Sequence, residues 1–199
     1  MSNSSKPNQA LRSAALIISL VVSLPMMGTT QSARSKFHLE EATIASIQEA
    51  IRAKQITTVS LVEKYLSRIK AYNGTCVNEP QGILGPITTI PNAGQINALS
   101  TLNLRPAARK KWGFPDRKAR SLTDAADSSP SLPDALEAAA EQDKRFAATG
   151  RFVGPLHGVV MAIKDQYDTA DMRTTSGGDA QYANDRPPDD ATFVRRLRE

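Results

Sequence analysis

The chain has 199 residues, 40% of them hydrophobic and 23% charged, with a net charge of +5. That composition excludes a disordered or fibrous chain and allows one domain with a sizeable core. One cysteine, Cys76, and two histidines, His38 and His157, exclude an intrachain disulfide and a metal cluster built on these residues, so neither a metal nor a cofactor is expected.

Lys6 and Arg12 precede the apolar run Ala14–Leu24, which is followed by Pro25 and small residues up to Ala33. A positive start, an apolar centre and a small-residue zone have the form of a secretory signal peptide. The apolar centre is shorter than the roughly 20 residues a membrane span needs. Residues 1–33 are therefore expected to direct export to the periplasm or the exterior, with cleavage between Gly28 and Ala33. Anchoring in a membrane by the same segment is the alternative.

Helices follow. Thr43 is placed to cap one that carries Ile44, Ile47 and Ile51 on one face. Thr58 is placed to cap the next, with Leu61, Val62, Tyr65, Leu66 and Ile69 as its apolar stripe and Gly74 as its stop. Asn73-Gly74-Thr75 has the form of a glycosylation acceptor. Residues 82–94, with Pro86 and Pro91, read as loop, and residues 97–102 as a short strand.

Between Arg105 and Arg120 stand seven basic side chains and one acid, Asp116, so this stretch alone carries +6. Trp112 and Phe114 interleave with the charges, as in some nucleic-acid grooves. An insertion loop over residues 105–130, with solvated basic groups and docked aromatics, accounts for the same pattern, and no nucleic acid is expected. Arg109, Lys110 and Lys111 are the candidates for contact with an anionic surface. After the Ser/Asp/Pro-rich residues 121–133, Leu136, Ala139, Ala140 and Phe146 mark a helix that Gly150 ends.

Residues 154–178 read GPLHGVVMAIKDQYDTADMRTTSGG. The apolar run Val159–Ile163 predicts a strand buried on both faces, with Lys164 at its end. Burial lowers an amine's pKa, and a lysine so placed can act as a general base. His157, just before the run, reads as a loop residue that orients the strand. Asp189 or Asp190 is placed to cap a final helix through Phe193, Val194 and Leu197.

The block GPLHGVVMAIKD, then Thr174-Thr175-Ser176-Gly177-Gly178, then Asp190-Ala191-Thr192-Phe193-Val194-Arg195-Arg196-Leu197, resembles the amidase signature family. Earlier blocks, Leu61–Ile69 with Tyr72-Asn73 and Ile96–Leu99, resemble it in the same order. The resemblance implies an α/β fold in which N-terminal helices pack on part of a mixed sheet, with residues 34–199 as the N-terminal portion of the domain. It also implies hydrolysis of carbon–nitrogen bonds in small amides by a Ser–Ser–Lys triad. Lys164 matches the family's lysine, the base. Asp165 matches an acidic neighbour that supports it, and Thr174 and Thr175 match a loop lying against the site. The family's Gly-Ser-Ser-Gly-Gly-type segment has no counterpart in these residues, and Ser176 belongs by position to the threonine-rich loop. This chain alone is therefore expected to be inactive. The alternatives are a non-catalytic binding module derived from an amidase, or the A-type component of an amidotransferase.

Overall fold

The computed structural model describes residues 36–74, 76–78, 80–81, 86, 88–91, 93, 96, 99–121, 127, 129–176 and 186–199. The signal-like residues 1–33 and much of the predicted 82–94 loop lie outside them. Helix α1 spans Ile44–Arg52, and Thr43 caps it in a reciprocal box with Ser46. Helix α2 spans Thr58–Tyr72. Its cap is Thr57, boxed with Ser60, one residue earlier than the Thr58 expected from the sequence. Thr58 instead turns inward and is buried.

Two strands of two residues each, β1 (Val77–Asn78) and β2 (Thr88–Thr89), pair in antiparallel register. Of the strand expected over 97–102, residues 97 and 98 lie outside the described set, and residues 99–102 form no strand. Ile96 instead makes an isolated parallel bridge to Asn73. Asn73 of the acceptor-like sequence is buried and bonds through its amide to Leu99.

Helix α3 (Pro106–Lys111) starts on a proline, whose missing N–H costs nothing at that position. Helix α4 spans Ala135–Thr149; Asp134 caps it in a box with Glu137, and Gly150 closes it at φ +66°. Helix α5 spans Thr192–Arg198. Its cap residue is Ala191, with no side-chain bond, and neither Asp189 nor Asp190 fills that place. Asp190 instead accepts from the Ala170 backbone N–H at 2.9 Å.

The core forms two clusters. One joins Val62 and Leu66 of α2 to Leu102, Leu104, Phe114 and Ala139, with Trp112 at its side. The other joins α1 to Ile56 and Leu61, with Phe146 and Phe152 at its edge. Val160 packs on both, so the segment carrying Lys164 is seated where the helices meet. Helices and a small sheet together make the mixed α/β content expected.

The basic side chains of the 105–120 stretch are not all solvated. Arg109, Lys118 and Arg120 are all buried, Arg120 at 0% exposure. Arg109 pairs with Asp116 at 2.6 Å and Arg120 with Asp127 at 2.6 Å. Lys118 donates to the Leu99 carbonyl, and Arg105 reaches Glu137 and the Ser129 carbonyl, both at 2.8 Å. These long side chains lie across apolar surface while their ends find carbonyls and carboxylates, an arrangement that depends on partners distant in sequence. The two aromatics dock in the core as expected, whereas only Lys110 and Lys111 of the proposed anionic contact face solvent.

Candidate functional site

The segment leading to Lys164 begins at a sharp turn. Gly158 takes φ +80°, and a Cβ there would lie 2.5 Å from Ile51 Cδ1, so only glycine lets the chain pass α1 this closely. Gly158 N–H donates to Gln142 Oε1 of α4 at 2.9 Å. Beside it His157 is 1% exposed and stacked on Phe152, with ring centroids 4.6 Å apart. Its Nδ1 accepts from the Val153 N–H at 3.4 Å, so the ring's proton sits on Nε2. Burial holds the imidazole pKa below its ordinary value, partly offset by the charge of Asp143. His157 is thus a neutral, packed loop residue.

Val159–Lys164 is not a strand. Among the described residues, no backbone N–H from Val160 to Lys164 donates a hydrogen bond. A strand exists only by pairing, and the described residues provide no neighbour for this one. Burial is correspondingly incomplete: Met161 is 43% exposed, and Lys164 itself is exposed rather than partly desolvated. Beside the segment opens a cavity of about 440 Å³, with Val62, Ala139, Leu156, Val160, Ile163 and Leu197 among its walls.

Of the other predicted site residues, Asp165 and Thr175 are bonded to each other. Asp165 Oδ1 accepts from the Thr175 N–H at 3.1 Å, and its Oδ2 accepts from the Thr175 hydroxyl. This clamp closes a loop that leaves at Asp165 and returns ten residues later. Thr174 is buried, and its hydroxyl has no partner among the described residues. Ser176 follows at φ +50° and is exposed. Asp165 and Thr175 therefore close the mouth of the loop, and Lys164 is the residue before Asp165 in the chain. A carboxylate fixed by two donors is a stable negative neighbour for an amine.

Sequence reasoning missed the groups that hold the loop. Asp171 is 1% exposed and accepts from Asn103 Nδ2 at 2.9 Å and Arg198 Nη2 at 2.7 Å. Arg173 donates its N–H to the Arg120 carbonyl at 2.8 Å and Nη2 to the Arg117 carbonyl at 2.5 Å. Burial pulls the Arg173 guanidinium pKa down, against the opposing charge of Asp165. Burial also works against the charge of Arg198, but its bond to Asp171 and the charges of Asp171 and Asp190 outweigh it and raise its pKa. The only hint in the sequence was an acid, Asp171, and an arginine, Arg173, inside a loop. Among the described residues no acid, histidine and cysteine cluster is arranged to hold a metal.

Residues 118–199 match the family model described as Amidase. An amidase of Gibberella zeae is 44% identical over 66 residues, which cover 33% of this chain and 12% of that protein. The A-type component of the glutamyl-tRNA(Gln) amidotransferase of Salinispora tropica is 50% identical over 64 residues, 32% of this chain and 13% of that one. Its chloroplastic/mitochondrial counterpart in Zea mays is 48% identical over 62 residues, 31% of this chain and 11% of that one. The chain thus spans only about an eighth of the length of the curated relatives it matches. Over residues 118–199, the stretch that holds Lys164, Asp165 and Thr175, this chain is thus similar to the amidase family.

Proposed function

We propose that this chain supplies the base of an amide-hydrolysing centre of the Ser–Ser–Lys type. Lys164, as a free amine, takes a proton from a bridging serine. That serine takes one from the nucleophilic serine, whose oxygen attacks the amide carbonyl while backbone N–H groups hold the developing oxyanion. The proton then passes to the departing amine. Asp165, fixed by Thr175, keeps the ammonium form of Lys164 accommodated during transfer. The observation that carries the reading is the position of Lys164 inside the amidase-family match, beside a clamped carboxylate. The two serines are not supplied by these 199 residues, so the chain by itself does not turn over amides. Its substrate is a small amide, and residues 1–33 direct export or, alternatively, hold the protein at a membrane.

There are two other readings. The amidotransferase components found as relatives favour an A-type role of that kind, and the export-like start weighs against it. A binding module is the reading if the protein as its cells make it has no serine segment. A serine-directed fluorophosphonate separates the binding module from the two readings that use a nucleophilic serine. Applied to the protein as its native cells make it, the probe is expected to label a serine outside these 199 residues. Labelling of Ser176 would move the nucleophile into the threonine-rich loop, and no labelling at all would favour the binding module.

A further inference from the structure

We propose that Asp171 is a positioning residue for the Lys164–Asp165 pair, acting from the middle of the 165–175 loop. The inference rests on the reading of Lys164 as the base. The loop's mouth is closed by Thr175 on Asp165, but that clamp holds only if the residues between them keep their path. Asp171 fixes that path from inside. Its carboxylate is buried and accepts from two directions: Asn103 Nδ2 on one side, Arg198 Nη2 of α5 on the other. Each donor is itself held. Asn103 Oδ1 accepts from Arg120 Nη1 at 3.1 Å, and Arg198 Nε lies 3.3 Å from Asp190 Oδ2.

The backbone on either side of Asp171 follows the same two supports. Ala170 N–H donates to Asp190, and Ala191 N–H donates to the Asp168 carbonyl at 2.9 Å, tying the loop to the start of α5. Arg173 ties its other limb to the carbonyls of Arg117 and Arg120. A buried carboxylate between two held donors has one low-energy position, because each lost bond would leave a charge unsatisfied away from water. Asp171 thereby transmits the positions of the basic stretch and of α5 to the clamp beside Lys164. The stretch that the sequence presented as an insertion becomes a support of the site.

The test uses the full 199-residue chain and reads the Thr175 amide by hydrogen exchange and by its NMR chemical shift. The variants are Asp171→Ala and, as a milder one that keeps the buried carboxylate, Arg198→Gln. Both are expected to speed Thr175 exchange at least tenfold and to shift its resonance, while exchange at Leu66 in the core of α2 changes less than twofold. Arg198→Lys, which can still donate to Asp171, is expected to retain slow exchange. Unchanged Thr175 exchange in a folded Arg198→Gln chain overturns the proposal. So does a parallel rise at Thr175 and Leu66, which would mean a general loss of stability. None of these readouts depends on turnover, so a failure here is distinct from a failure of the amidase reading.

Discussion

Gly158 carries two constraints at once, a left-handed φ of +80° and the methyl end of Ile51 where a Cβ would go. Gly158→Ala is expected to cost about 1–3 kcal/mol, since it combines backbone strain with overpacking of the α1 core. Chemical denaturation would measure this, and a loss below about 0.5 kcal/mol would mean that the chain has another route past α1. The neighbouring His157 gives the fold a pH dependence whose sign is fixed by burial. Its folded pKa is depressed, so the unfolded chain binds the proton more readily. The stability from burying the neutral ring is complete above the ordinary value of about 6.5 and is lost as pH falls from there through the folded value. Melting temperature should fall between about pH 7.5 and 5.5, and His157→Gln should flatten that part of the profile. An equally steep profile in the variant would assign the effect to other groups.

At the scale of elements, the start of α2 is pinned by another helix. Asp143 of α4 accepts from the N–H groups of Thr58 at 2.7 Å and Val59 at 3.0 Å, while Thr57 takes that of Ser60 at 3.0 Å. A carboxylate at a helix N-terminus satisfies orphan donors and favours the helix dipole. Asp143→Ala is expected to cost about 2–3 kcal/mol, and Asp143→Asn distinctly less, because an amide keeps one acceptor. Equal losses in thermal melts would contradict that account. This pin also illustrates what was legible in the sequence. Helix faces such as Ile47 and Ile51, the Thr43 cap and the Gly150 stop are local patterns, and they lie where periodicity placed them. Partners 85 residues apart leave no local trace, so neither the Asp143 pin nor the choice of Thr57 over Thr58 as the α2 cap is legible in the sequence. The burial of Arg109, Lys118 and Arg120 was missed for the same reason, since their carbonyl and carboxylate partners are set by the fold. Lys164 was legible from its motif, whereas the strand before it was not, because strand formation needs a neighbour as well as an apolar run.

For the whole molecule, that unpaired segment governs behaviour in solution. Val160–Lys164 has unbonded backbone N–H groups among the described residues, and Met161 stands exposed near its centre. An unpaired apolar edge invites pairing with another chain. The isolated 199-residue chain is expected to associate as concentration rises in sedimentation velocity, and Met161→Lys to suppress this, as charges do on natural edges. A parent chain that stays monomeric throughout would indicate that the segment is covered. The central claim, that Lys164 is the base of an amide-hydrolysing centre, is tested most directly by the rate of small-amide hydrolysis in the protein as native cells make it, with and without Lys164→Ala. The account predicts a loss of roughly a thousandfold or more in kcat on removing the lysine, as for other triad members, and no turnover by the 199-residue chain alone. Undiminished hydrolysis by Lys164→Ala, or robust Lys164-dependent turnover by the isolated chain, would contradict it.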